Sequence, residues 1–164
     1  YIHNFNNFYS KMISIRNIFM LNISHYKIIA IGKIKKRWIQ EGIEMYLKRL
    51  PGLELIEIKD STQIKEEHTI KEIISKNETL VTLNENGQSF TSKQLATKLL
   101  NSHNQNITFV IGGASGLPTS LNNSASWQLS LSSFTFPHEI ARLLLIEQLY
   151  RANTITQGGP YHKE

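Results

Sequence analysis

"NITFVIGGASGLP", residues 106–118, is the stretch that decides the fold. Ile107 to Ile111 form a nearly continuous apolar run, the pattern of a strand in the middle of a parallel sheet, covered on both faces. The run stops at Gly112 and Gly113, and a third glycine follows at Gly116. Open α/β sheets bind ligands beyond the carboxyl ends of such strands. The question this stretch raises is what requires bare backbone there.

The flanking sequence repeats one theme. "YKIIAIGK" (26–33) reads as a buried strand and "KKRWIQEGIEMYLKRL" (35–50) as a helix, with Trp38, Ile39, Ile43, Met45, Tyr46, Leu47 and Leu50 as its apolar residues and Pro51-Gly52 as its stop. "LELIEIK" (53–59) alternates apolar and acidic residues, as a half-exposed strand does. "STQIKEEHTIKEIISK" (61–76) reads as a helix with Ile64, Ile70, Ile73 and Ile74 inward, and "ETLVTLNENGQ" (78–88) as a strand ended by an Asn86-Gly87 turn. Thr91 or Ser92 caps a helix that turns Leu95, Leu99 and Leu100 inward. After the glycines come a Pro118-led turn or short helix, a strand passing into a Ser-rich loop over 126–136, and a long apolar helix over 137–155. Strands alternating with helices predict an α/β single domain, a mostly parallel sheet with helices on both faces. The domain is expected over 25–164.

Residues 1–24 contain no acid and are rich in Asn, Ile and Phe. An acid-poor head with Lys11 and Arg16 reads either as a targeting peptide or as an over-extended start before the domain. Across the 164 residues there is no cysteine, which excludes disulfides, thiolate metal sites and cysteine nucleophiles. The formal charge of +5 favours a polyanion such as RNA as partner. No apolar stretch approaches the roughly 20 residues that span a bilayer, and no metal-ligand spacing is present.

The glycines do not form a phosphate loop. Gly113 and Gly116 fit the last two positions of a dinucleotide fingerprint, but Ile111 stands at the first, and Leu131-Ser132-Ser133 stand where the ribose carboxylate belongs. No Lys or Arg lies between Lys98 and Arg142, so nothing nearby answers phosphate charge. Two readings stay open: a strand-ending turn, or close backbone approach to a ligand that is not strongly anionic. "GGASG" is one residue short of a nucleophile elbow. Among the six histidines, His138 opens the long helix and His162 sits in "PYHKE" at the chain end, while His68 and His103 lie in polar stretches and His3 and His25 lie in or beside the head. Glu139 and Glu147 on the long helix read as a cap or an ion pair. Lys33, Lys35, Lys36 and Arg37 cluster at the first strand–helix junction, either as a solvated face or as a phosphate track for RNA.

The ordered set "AIGKIK", "FVIGGASGL", "LSLSSFTFPHEIARLLLIEQLYRA" and "PYHKE" resembles the ribosomal large-subunit pseudouridine N3-methyltransferases of the SPOUT class, the RlmH family, from about Tyr26 to Glu164. The resemblance implies a C-terminal part tied into a trefoil knot, S-adenosylmethionine as cofactor, large-subunit rRNA in the assembled ribosome as substrate, and a homodimer with each site completed near the subunit interface. It places cofactor contacts at Leu83, at the glycines Gly112, Gly113 and Gly116, and along Leu131, Ser132, Ser133, Phe134, Thr135 and Phe136. It assigns His162 to proton removal, with Tyr161 and Lys163 shaping or charging the target pocket. Lys35, Lys36, Arg37, Arg142 and Arg151 become candidates for rRNA contact, and the cytoplasm the expected compartment, or a plastid if the head is a transit peptide. Gly158-Gly159 stand where relatives carry bulkier polar residues. The residues by themselves leave open a non-catalytic RNA-binding module and a nicotinamide-dependent oxidoreductase.

Overall fold

In a computed structural model of the chain, which describes residues 20–102 and 104–162, five strands alternate with five helices after a short 3-10 turn at Ile23–His25. In chain order they are β1 (Tyr26–Ile31), α1 (Arg37–Leu47), β2 (Glu54–Ile58), α2 (Gln63–Ile73), β3 (Glu78–Ser89), α3 (Ser92–Asn101), β4 (Asn106–Ile111), α4 (Thr119–Ser124), β5 (Trp127–Ser130) and α5 (His138–Thr156). The sheet order is β2-β1-β4-β3-β5 and every pairing is parallel. The apolar run of β4 thus lies at the centre, between β1 and β3, and only its first residue is exposed. Lys11, Arg16, His3, His103 and Lys163 lie outside the described residues.

Period-two alternation divides the core between the two faces of the sheet. Ile28, Ala30, Phe109 and Ile111 face α1, α3 and α5, with Ile39, Leu99 and Leu145 packed on them. Ile29, Ile31 and Val110 face the other way, onto Ile70 of α2 and Leu121 of α4. Helix α3 begins in a full capping box: the Gln94 backbone N–H donates to Thr91 Oγ1 at 3.2 Å and the Thr91 N–H donates to Gln94 Oε1 at 2.8 Å. That satisfies two end-of-helix donors and settles Thr91 as the cap.

Several expectations need correction. Leu21 and Ile23, assigned to the head, are buried in the larger core cluster, so the packed body begins before residue 25. Ile64 is 82% exposed, because it occupies the first turn of α2 before the helix reaches the sheet. Trp38 and Met45 also face solvent, and Ile39 and Ile43 hold the core side of α1. Asn86-Gly87 does not end β3. Leu83 and Gln88 both register with Leu129, so residues 84–87 loop out of a strand that continues to Ser89.

Arg142, a candidate for rRNA contact, is fully buried. Its guanidinium pairs with Glu57 at the end of β2 and donates to the carbonyls of Gly32, at 2.9 Å, and Ile31, at 3.4 Å. An apolar helix packed across the ends of β1 and β2 leaves those carbonyls no water, and a forked donor is what satisfies them. One turn earlier, Glu139 accepts from the backbone N–H groups of Lys35, at 3.1 Å, and Lys36, at 3.3 Å, at the start of α1. Burial by itself would raise the Glu139 pKa. The two backbone donors, the neighbouring His138 and the Lys36 ammonium outweigh it and hold the carboxyl below its ordinary range.

Two outcomes follow. Arg142→Leu strands Glu57 and two carbonyls and costs about 3 kcal/mol in urea unfolding. A carboxyl with a lowered folded pKa stabilises the fold at neutral pH and ceases to do so as acid protonates it. The unfolding midpoint therefore falls as pH drops from 7 to roughly 3, and Glu139→Gln shows a smaller fall over the same range.

Candidate functional site

A cleft of about 790 Å³ opens at the carboxyl ends of β3, β4 and β5. That is the size of an ordinary small-molecule site. Three chain segments make most of it, Leu83 to Glu85 from β3 and its loop-out, Ile111 to Leu117 after β4, and Leu131 to Ala141 after β5 into α5, and Asn122 of α4 and Leu129 of β5 complete it. Of the ten residues nominated as cofactor contacts, Ser133 alone is not in the lining. It lies at the outer side of its loop, exposed, while Ser132 turns its hydroxyl back to accept from the Phe134 N–H at 3.1 Å.

The glycine loop answers the question its sequence raises. The chain doubles back on itself: Gly113 bridges Gly116, whose N–H donates to the Gly113 carbonyl at 3.1 Å. A Cβ on Gly112 would meet the backbone of Gly116 at 2.7 Å and of Leu117 at 2.9 Å. Gly116 has φ of +72° and open space where its Cβ would be. Gly112 is bare because the loop's own backbone occupies the space, and Gly116 because the reversal needs a left-handed residue. The turn reading accounts for both glycines, and the same tight turn lines the cleft with backbone.

The other two walls are tied together. Thr135 Oγ1 donates to Glu85 Oε2 at 2.6 Å, and Ser130 Oγ donates to the Glu85 carbonyl at 3.0 Å. Asn84 Nδ2 reaches Gln128 Oε1 at 2.7 Å, and Gln128 Nε2 reaches the Asn122 carbonyl at 3.0 Å. These bonds fix the loop-out of residues 84–87 against the Ser-rich loop. Composition missed Asn84, Glu85 and Asn122 as lining residues; the Asn86-Gly87 signal marked the loop that carries the first two, and His138, singled out where it opens the long helix, does line the cleft.

The lining includes neither Lys nor Arg. Its ionisable side chains are Glu85 and His138. Phosphate has no partner there. An adenosine with a sulfonium cation does fit: apolar walls at Leu83, Leu131 and Phe136, backbone polar groups from two loops, and one carboxylate at the rim.

The C-terminal residues lie elsewhere. The Tyr161 hydroxyl shares a hydrogen bond with Tyr46 of α1 at 3.0 Å and donates to Glu147 of α5 at 3.2 Å. Its ring meets Tyr150 edge-on at 4.7 Å, under the Arg151 guanidinium. Burial, then the Tyr46 bond and the Glu147 charge, push its pKa up, so it keeps its proton. Arg151 is bound to Glu147 at 3.0 Å through Nε and is only partly exposed. His162 carries a buried Nδ1 with no hydrogen-bond partner. Neither Tyr161 nor His162 lines the cleft. Tyr150, their neighbour, stands about 18 Å along α5 from His138 at the helical rise of ~1.5 Å per residue. Lys35, Lys36 and Arg37 are exposed.

A family model described as "Predicted SPOUT methyltransferase" matches residues 24–162. The chain belongs to the SPOUT methyltransferase family. Membership implies the trefoil-knotted C-terminal part expected from the sequence. It also favours methyl transfer over the two alternatives that the residues left open. The chain is 92% identical over 145 residues to "Ribosomal RNA large subunit methyltransferase H" of Prochlorococcus marinus strain NATL1A, covering 88% of this chain and all of that protein. It is 54% identical over 138 residues to the protein of the same name from strain MIT 9313, covering 84% and 96%. A probable methylase family protein from Haemophilus influenzae Rd KW20 shares the fold, with a TM-score of 0.55 at 14% identity over 87% of this chain and 72% of that one. Among the described residues, no helix is long and apolar enough to cross a membrane, and no three metal-ligating side chains converge.

Forcing a methyl group into the loop tests its geometry. Gly112→Ala costs about 2 kcal/mol by overpacking. Gly116→Ala costs about 1 kcal/mol through its left-handed φ. Denaturant unfolding of the two variants reads that order directly.

Proposed function

We propose that the chain transfers a methyl group from S-adenosylmethionine to N3 of a pseudouridine in large-subunit rRNA of the assembled ribosome, working in the cytoplasm as a homodimer. The observation that carries this reading is the cleft: a cation-free pocket of loop backbone at the sheet's carboxyl edge, in a chain that matches large-subunit rRNA methyltransferases along nearly its whole body. When bound, the cofactor supplies a methyl carbon activated by its sulfonium.

The chain's own part is to hold two reactants in line, which supplies much of the acceleration in such a displacement. Leu83, Gly112, Gly113, Gly116 and the Leu131–Phe136 loop hold the cofactor. As N3 takes the methyl group, its imide proton must leave. His162 is the acceptor, since an imidazole titrates near neutral pH and this one has an unpartnered ring nitrogen. Tyr161 keeps its proton and acts as the anchor that aims His162, and Lys163, which follows in the sequence, supplies charge for the target pocket. Lys35, Lys36 and Arg37 contact phosphates. Arg151 holds the anchor and contacts RNA at most through its exposed edge.

Dimerisation resolves the separation of tail and cleft. Helix α5 presents no separate polar face, and Ile140, Leu143, Leu144 and Tyr150 are only partly covered by its own chain. A helix of that pattern calls for a cover on every face. A second copy covers it and brings one protomer's tail to the other's cleft.

Titration calorimetry with S-adenosylmethionine, and labelled-methyl transfer to ribosomes that lack the modification, test the reading. His162→Ala lowers kcat by about 100-fold or more and leaves cofactor affinity unchanged. A folded chain that binds cofactor but labels no large-subunit rRNA would falsify the substrate, and full turnover by His162→Ala would remove the role given to that residue.

A further inference from the structure

The chain has two tryptophans, and they are treated differently. Trp127 is half-buried, packed edge-on against Phe90 and Phe109. Trp38 is 57% exposed. Single apolar side chains on a surface are commonplace, so exposure by itself assigns nothing. What sets Trp38 apart is its setting.

It stands in the first turn of α1, next to Ile39, which is fully buried and so fixes which way that turn faces. Immediately before it come Lys33, Lys35, Lys36 and Arg37, all exposed. The ammonium groups of Lys33, Lys35 and Lys36 make no ion pair among the described residues. Arg37 pairs with Glu41, with both side chains largely in solvent, which leaves the guanidinium accessible. The segment is also rigid. Glu139 holds the backbone N–H groups of Lys35 and Lys36 and is itself occupied by doing so. Glu139 directly follows His138, which lines the cleft, and Gly32, where the segment leaves β1, lies 3.7 Å from His138 Nε2 at its Cβ position. An exposed indole therefore directly follows a run of exposed cations in a segment whose backbone is tied to the helix that carries His138.

We propose that Trp38, with Lys35, Lys36 and Arg37 around it, is a stacking platform for an unpaired base of the RNA substrate, flanking the base that enters the cleft. This rests on the reading of the chain as an rRNA methyltransferase. Single-stranded RNA is recognised by such a combination, because every base has a π-face to stack and every nucleotide a phosphate to neutralise. The cations select a polyanion as the occupant, in contrast to the partly covered apolar side chains Ile140, Leu143 and Leu144 of α5 that a second copy covers.

The test uses the full-length chain with Trp38→Ala, Trp38→Phe and Lys35→Ala/Lys36→Ala. Three quantities are read: steady-state methyl transfer to ribosomes lacking the modification, anisotropy of a fluorescent stem-loop from large-subunit rRNA, and sedimentation mass. Trp38→Ala is expected to raise KM for ribosomes and weaken stem-loop binding by about 10-fold, with kcat, cofactor affinity and mass unchanged. Trp38→Phe recovers most of the loss, which a merely structural role would not predict. The double lysine variant weakens binding and flattens its salt dependence. Unchanged KM and RNA affinity in Trp38→Ala overturn the platform. A lowered sedimentation mass overturns it too, and assigns the indole to the contact between copies. If the parent chain methylates no rRNA, the functional reading has failed, and the stem-loop anisotropy still decides whether Trp38 holds RNA.

Discussion

Two charged side chains in the first turns of α5 hold the rest of the molecule in register. Arg142 reaches across the ends of β1 and β2 to Glu57 and to the carbonyls of Ile31 and Gly32. Glu139 caps the start of α1 from the same helix. A long apolar helix has no directional preference of its own, because dispersion and burial are satisfied over a range of angles. The two polar anchors remove that freedom. They fix where α5 starts, and with it the lip of the cleft at His138 and Ala141. The ion pair adds more to orientation than to net stability, since removing a guanidinium from water costs much of what its partners return.

The cleft follows from that anchoring and from two tight backbone events. One is the doubled-back loop after β4, which only glycine at 112 and 116 accommodates. The other is the loop-out of residues 84–87, stitched by Glu85 and Asn84 to the segment that follows β5. Backbone thereby lines the site from two sides without any cation. That combination suits a ligand with a positive sulfonium and an adenine edge, and it is unsuited to a pyrophosphate. Lys33, Lys35, Lys36 and Arg37 instead lie outside the lining, exposed and just before Trp38 in the chain.

The tail illustrates how a nominated residue changes meaning in the fold. Tyr161 belongs to a terminal segment, where side chains are commonly frayed, yet its hydroxyl is bound by Tyr46 and Glu147 and its ring lies between Tyr150 and Arg151. Those partners come from α1 and from a little over one turn of α5, and none is near Tyr161 in the chain. A clamped tyrosine that keeps its proton ties the last described residues to α1 and α5 and does not serve as a base.

The sequence by itself determined the order of strands and helices, the centrality of β4 and the glycine turn that ends it. Each of these is written in local pattern: a run apolar on both faces, a capping threonine at 91, glycines where a strand must stop. What only the tertiary structure decided were the assignments that depend on distant partners. Arg142 reads as a surface cation until Glu57 and two strand-end carbonyls, about a hundred residues earlier in the chain, are brought to it. Ile64, Trp38 and Met45 fit a helical spacing, but which face meets the sheet depends on where the neighbouring strand lies. Asn86-Gly87 is a turn in either reading, and only pairing with β5 shows that the strand resumes after it. Leu21 and Ile23 look like part of an acid-free head until the core they enter is assembled. Periodicity reports what a segment can bury, and only the assembled sheet says against what.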